Sequence, residues 1–283
     1  MKTGLVLEGG GLRGMFTAGV TDAMMEANVT FDGLIGVSAG ALFGCNLKSG
    51  QRGRALRYNV ALRNDPRYMG WRSFVKTGNI VGAEFSYHVV PFEIDPFDGE
   101  AFKRNPMDFW LVATDINTGE PVYHRMDEFT HHELEWMRAS ASMPAVSKPV
   151  EVDGRVLLDG GMVDAIPLKT FQQMGYERNV VVLTQPRDYY KTRSRVLIWL
   201  IRRMTKKYPK VAEVMSRRHE MYNEQLHYIT EEERKGNTLL IYPQQPLRIG
   251  RTELSERKMR RAHGLGYKAA MEIMDKIKEF TKG

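Results

Sequence analysis

The chain has 283 residues, 42% of them hydrophobic and 27% charged, which is enough to bury one large core without splitting into many domains. Its single cysteine, Cys45, excludes an internal disulfide and a cysteine-based metal cluster and suits a reducing compartment; the expectation is a small buried apolar residue rather than a reactive thiol. The net charge of +7 is localised: residues 187–218 carry 11 Lys or Arg against 2 acids, a charge of +9, whereas the remaining 30 basic and 32 acidic residues sum to −2.

The chain opens with Met1-Lys2-Thr3-Gly4 and passes into the apolar Leu5-Val6-Leu7, a run too short and wrongly flanked for a secretory signal. No apolar stretch approaches the roughly 20 residues that span a bilayer, so a cytoplasmic protein, soluble or peripheral at a membrane, is expected. Thr3 to Leu7 reads as a buried strand. From Leu12 onward Met15, Phe16, Ala18, Gly19, Ala23 and Met24 follow helical spacing, after a glycine-rich turn. The pattern repeats with the short apolar run Asp32 to Gly36 and the helical spacing of Ala39 to Leu47. Phe109 to Thr114 is a strand, turned by Asn117 to Pro121 into Val122-Tyr123-His124. A helix from Thr130 to Ser140 should stop before Pro144. Arg155 to Leu158 is a strand ending in Asp159-Gly160-Gly161, followed by a helix from Leu168 to Met174 and the β-branched strand Asn179 to Thr184. Strands alternating with helices predict an α/β fold with a mostly parallel central sheet covered on both faces. Beyond Gln185 the chain becomes charged and helical, with helices from Arg193 to Lys207, Pro209 to Lys235 and Leu254 to Phe280 and one strand from Thr238 to Tyr242. We therefore expect a catalytic domain at residues 3–185 and a basic, mainly helical region at 186–283 packed on it.

Three motifs carry chemistry. Gly9-Gly10-Gly11-Leu12-Arg13-Gly14 lies between a strand and a helix, where missing side chains let backbone N–H groups face an anion. It fits a dinucleotide fingerprint, a bare turn or an oxyanion hole. Against the nucleotide reading, Asp32 precedes the second apolar run instead of following it, and no Lys-Ser or Lys-Thr follows the glycines as a phosphate-binding loop requires. Gly36-Val37-Ser38-Ala39-Gly40 has the nucleophile-elbow pattern, in which Gly36 and Gly40 relieve crowding around an exposed serine hydroxyl. Asp159-Gly160-Gly161 follows a strand. Parallel strands put their carboxyl ends on one edge of a sheet, so all three motifs should meet at one rim.

With these residues the chain resembles the bacterial patatin-like phospholipases. That resemblance covers roughly Gly4 to Thr184, and includes the block Ala139-Ser140-Ala141-Ser142-Met143-Pro144. It implies a three-layer α/β/α fold with a C-terminal helical extension, an oxyanion hole at Gly9, Gly10, Gly11, Arg13 and Gly14, and a dyad of nucleophile Ser38 and base Asp159. The substrate would be a lipid or other acyl ester, and neither metal nor organic cofactor would be needed.

The seven histidines lie in no motif and read as surface or structural residues. Ser140 and Ser142 lack the flanking glycines of an elbow. Met107, Met143 and Met162 suit core filling more than an acyl groove. Within the basic segment, Val196-Leu197-Ile198-Trp199-Leu200-Ile201 is bracketed by Arg193, Arg195, Arg202 and Arg203. A helix so flanked either packs over the sheet or lies on anionic lipid, the latter through Arg193 to Lys210. Two other classes remain: a nucleotide-binding oxidoreductase using the first glycine loop, and a nucleic-acid-binding module using the basic segment. The second lacks a zinc finger or single-strand motif, and nucleic acid is not an expected partner.

Overall fold

A computed structural model describes residues 1–282. In chain order it comprises β1 (Lys2–Leu7), α1 (Met15–Glu26), β2 (Gly33–Val37), α2 (Ala39–Lys48), α3 (Arg54–Leu62), α4 (Trp71–Thr77), α5 (Gly99–Arg104), β3 (Asp108–Asp115), β4 (Pro121–Arg125), α6 (His131–Ser140), β5 (Val150–Val152), β6 (Arg155–Asp159), α7 (Leu168–Gln173), β7 (Tyr176–Val182), α8 (Arg195–Met204), α9 (Pro209–Arg234), β8 (Thr238–Ile241), α10 (Glu256–Met271) and α11 (Met274–Thr281). A 3-10 turn, Gly11–Gly14, precedes α1, and a π-helical segment, Phe85–Ile94, lies between α4 and α5.

Five strands run parallel in the order β3-β2-β1-β7-β8. Their alternating side chains divide into two cores. Leu5, Leu7, Leu34, Leu111 and Val180 face one side, packed with Met15, Phe16 and Met259, while Val6, Ile35, Val37, Val112 and Val181 face the other with Phe171, Tyr222 and Ile229. This two-residue alternation, apolar on both faces, is what a sheet buried between helical layers requires. The expected α/β fold with a mostly parallel central sheet is present.

Residues after 185 are woven into both layers. β8 pairs with β7 at the sheet edge, and α10 lies so close to α1 that a Cβ on Gly19 would meet the His263 carbonyl oxygen at 1.9 Å and one on Gly266 the Phe16 carbonyl oxygen at 1.9 Å. The helix expected from Leu254 to Phe280 is in fact two, α10 and α11, separated at Glu272 and Ile273. The break redirects the chain so that Met274 and Ile277 become buried.

The strand that carries Asp159 departs from the expectation in direction. β6 is antiparallel to β3, pairing Ala113 with Asp159 and Thr114 with Leu158. Residues 110–112 of β3 pair with both β2 and β4, and residues 113 and 114 with both β4 and β6. A strand has two edges, so β2 and β6 must share one edge of β3. β6 therefore occupies the prolongation of β2 and runs against it, and the two strands end head to head, Val37 opposite Val112 and Asp159 opposite Ala113.

Candidate active site

Ser38 follows β2 directly and opens α2, with φ 54° and ψ −124°. A serine at positive φ is strained and persists only where its surroundings hold it. Here its carbonyl accepts from Ala41 and Leu42, and its N–H donates to the Ser140 hydroxyl at 3.0 Å. The flanking glycines answer to close backbone approach: a Cβ on Gly36 would lie 2.5 Å from the Ala41 nitrogen, and one on Gly40 2.3 Å from the Leu7 carbonyl oxygen. The elbow is thus wedged between β1 and the first turn of α2.

The head-to-head meeting of β2 and β6 brings the Asp159 carboxylate to Ser38. The Asp159 main chain is fixed by a bond from its N–H to the Ser142 carbonyl at 2.8 Å and by the Thr114 hydroxyl, which donates to its carbonyl at 2.8 Å. Its Oδ1 accepts from the Gly161 N–H at 2.8 Å. Gly160 has no room for a side chain, because a Cβ there would come within 2.2 Å of the Val112 carbonyl oxygen. Burial raises the Asp159 pKa above its ordinary value, opposed by the Ser38 hydroxyl, the Gly161 amide and the positive charge of Arg218 and Arg251. The carboxylate is a stronger base than a solvated one.

The first glycine loop lies beside this pair. A Cβ on Gly9 would stand 3.0 Å from that of Ser38, and one on Gly14 would meet Ala39 and Phe43 at 2.9 Å. Gly11, at φ 58°, lets Leu12 N–H reach the Arg251 carbonyl at 3.0 Å. Among the described residues the N–H groups of Gly10 and Gly11 find no backbone acceptor. The Arg13 guanidinium, its Nε buried without a partner, lines the same cavity.

Ser38 stands at the junction of two cavities. One, of about 140 Å³, is walled mainly by apolar groups, among them Leu42, Phe43, Tyr58, Val90, Phe97 and Met137. Nearly half of its lining comes from residues 51–107, a stretch whose short helices and π-helical segment sequence periodicity did not reveal. The other, of about 370 Å³, holds Asp159, Gly9 to Gly11 and Arg13, with Leu197, Leu200 and Ile201 of α8 on its wall. Met143 and Met162 line this second cavity, whereas Met107 is core. No histidine lines either one. His88, His124, His132 and His263 are instead bonded to Glu135, Glu133, Asp153 and Asp22. Cys45 is buried and touches the apolar cavity; burial pushes its thiol up to about 12, so it stays protonated. Among the described residues no group of three or more metal-ligating side chains gathers anywhere.

Several groups at the site come from outside the three motifs. Glu8, 3% exposed, accepts from Thr184 N–H at 2.6 Å, from the Thr184 hydroxyl at 3.1 Å and from the Tyr222 hydroxyl at 2.7 Å, tying β1 and the glycine loop to α9. Arg218, also on α9, donates its Nε–H to the Gly161 carbonyl at 2.6 Å. Lys191 and Arg251 complete the wall. An acid closing a buried strand just before the glycines was a usable signal for Glu8. Nothing local marked Arg218, Tyr222 or Arg251.

Residues 5–171 match the family model for patatin-like phospholipases, and residues 208–282 match a domain of unknown function, DUF6363. The chain is 31% identical over 200 residues to the uncharacterized protein YjjU of Escherichia coli, covering 68% of this chain and 54% of that protein. It is 26% identical over 179 residues to lysophospholipase nte1 of Aspergillus oryzae, covering 62% of this chain and 11% of that one. The chain thus spans about half the length, or less, of these curated relatives. Among solved structures VipD of Legionella pneumophila is similar in fold, with a TM-score of 0.50 and 13% identity across 97% of this chain and 67% of that one.

Proposed function

The chain belongs to the patatin-like phospholipase family, and we propose that it hydrolyses lipid carboxylic esters through an acyl-enzyme on Ser38 with Asp159 as general base. What supports the reading is one convergence: a strained serine beside a buried carboxylate, next to two unengaged backbone amides, where an apolar cavity meets a second that adds charged groups to an apolar wall.

Asp159 takes the Ser38 proton as Oγ attacks the ester carbonyl carbon, and the N–H groups of Gly10 and Gly11 receive the developing oxyanion, with Arg13 adding positive charge. The protonated Asp159 returns that proton to the departing alcohol oxygen. Water then attacks the acyl-enzyme with the same carboxylate as base, releasing the fatty acid and restoring Ser38. The acyl chain occupies the apolar cavity, and the alcohol leaves through the other.

Access to lipid runs over α8. Val196 and Trp199 are exposed by 78% and 61% while Leu197, Leu200 and Ile201 line the cavity, so this amphipathic helix borders the site and offers its outer face to an anionic lipid surface. No helix among the described residues is long and apolar enough to cross a membrane.

A fluorophosphonate probe tests the proposal. It should label the natural chain on Ser38, leave Ser38→Ala unlabelled, and react with Asp159→Asn at least about 100-fold more slowly. Equal labelling of Asp159→Asn, or an activity limb near pH 6.5 removed by changing one histidine, would defeat the dyad.

A further inference from the structure

Four cations converge on the larger cavity: Arg13 from the glycine loop, Lys191 from the segment after β7, Arg218 from α9, and Arg251 from the loop before α10. None of them takes part in the ion pairs formed among the described residues, although those pairs engage many of the chain's other Lys and Arg side chains. Against these four stand two carboxylates in the same cavity, Asp159, the leading attraction on Arg218, and Glu8, which already accepts from Thr184 and Tyr222. Arg13 Nε is buried with no partner at all, and unpaired positive charge in a half-buried pocket is unfavourable unless an anion completes it.

Resting on the esterase reading above, we infer that this cavity is a phosphate subsite, three of whose four cations come from the C-terminal region, which selects esters whose alcohol carries an anionic phosphate over neutral and zwitterionic ones. Ser38 at the junction then fixes substrate polarity, with the acyl chain in the apolar branch and a phosphorylated alcohol in the basic branch. A zwitterionic headgroup would put its own cation among four others, which like-charge repulsion opposes. An acylglycerol lacking phosphate would leave the cations unpaired. The inference also assigns work to residues 208–282, the domain of unknown function, since Arg218 and Arg251 lie within it.

Lys191 adds a signature. Burial, then the positive charge of Arg218, pushes its pKa down to about 7, opposed by Glu8. An arriving phosphate stabilises the charged form, so binding near or above pH 7 should take up a proton at Lys191.

The probe is glycerol 3-phosphate, titrated calorimetrically at pH 7.5 into the Ser38→Ala protein in buffers of different ionisation enthalpy. Saturable binding with proton uptake is expected, with glycerol alone giving none. Lys191→Met should abolish the proton uptake, and Arg218→Met should weaken binding at least about tenfold. Inorganic phosphate and a turnover series on natural protein separate a headgroup from a free ion: kcat/KM for 1-acylglycerol phosphate should exceed that for 1-acylglycerol and 1-acylglycerophosphocholine, and the ratio should collapse in Lys191→Met. Absence of saturable binding overturns the subsite, as does binding unaffected by both substitutions. Binding of inorganic phosphate with equal turnover of the three esters overturns the headgroup assignment. Because binding is read on a protein without Ser38, failure of the dyad and failure of the subsite give different results.

Discussion

Removing the Ser140 hydroxyl should disarm Ser38 without touching it. Ser140 closes α6, is fully buried, and accepts the Ser38 N–H at 3.0 Å across 102 residues of sequence. In Ser140→Ala that amide, held in the interior, loses its acceptor, at a cost of about 1–3 kcal/mol. The bond also holds a residue at φ 54°, a conformation that costs roughly 1–3 kcal/mol and relaxes when its supports go. Each 1.36 kcal/mol of bias toward a relaxed elbow is about tenfold in rate. The expected variant is therefore less stable by about 1–3 kcal/mol, a fall in Tm of about 2–5 °C for a chain of this length. It should also react with a fluorophosphonate about 5–100-fold more slowly. On a soluble ester kcat should fall while KM holds, because neither cavity is lined by Ser140. Ser142→Ala is the comparison, since its hydroxyl donates only to the Arg138 carbonyl at 2.8 Å and should leave the labelling rate nearly unchanged. A Ser140→Ala protein as stable and as quickly labelled as the natural chain would refute the reasoning that this bond sustains the elbow.

Gly40→Ala would force a methyl to 2.3 Å from the Leu7 carbonyl oxygen and 3.0 Å from that of Glu8, both main-chain atoms of a central strand and its extension; destabilisation of about 3 kcal/mol or more is expected by chemical denaturation, and a near-neutral result would contradict the packing. Asp159 has a folded-state pKa raised chiefly by burial, so its stabilising contribution is present in acid and lost as pH rises through that pKa. Asp159→Asn should then be inactive yet more stable than the natural chain at neutral pH, with the difference vanishing below the ordinary carboxyl range, as thermal melts across pH would reveal. For the natural enzyme the acid limb of kcat/KM should lie above that range, reporting the same carboxylate. Changing Arg202, Arg203, Lys206 and Lys207 together to Glu should remove co-sedimentation with anionic vesicles and leave hydrolysis of a soluble ester intact; unchanged vesicle binding would exclude α8 as the contact.

Much of this protein is legible in its residues because the relevant physics is local. Alternating apolar runs between helical spacings specify β1, β2, β7 and the helices on them, and the glycines around Ser38 and after Asp159 mark turns that no larger residue fits. Local pattern could not give strand direction. The expectation that Asp159 ends a parallel strand was wrong, and it meets Ser38 because β6 continues the line of β2 from the opposite end, a consequence of pairing with β3 that neither strand's sequence encodes. Residues 51–107 escaped because α3, α4 and α5 are only 9, 7 and 6 residues long and the segment Phe85–Ile94 is π-helical, so helical spacing has too few turns in which to show. The basic segment was visible as charge, but whether an arginine faces solvent or the site depends on how the helix carrying it packs, and only the docking of α9 on β8 and on the turn after Asp159 brought Arg218 and Tyr222 to Gly161 and Glu8. Sequence determined which groups were available for chemistry; long-range packing decided which of them share a cavity, because such contacts join positions more than 50 residues apart whose pairing leaves no mark on either neighbourhood.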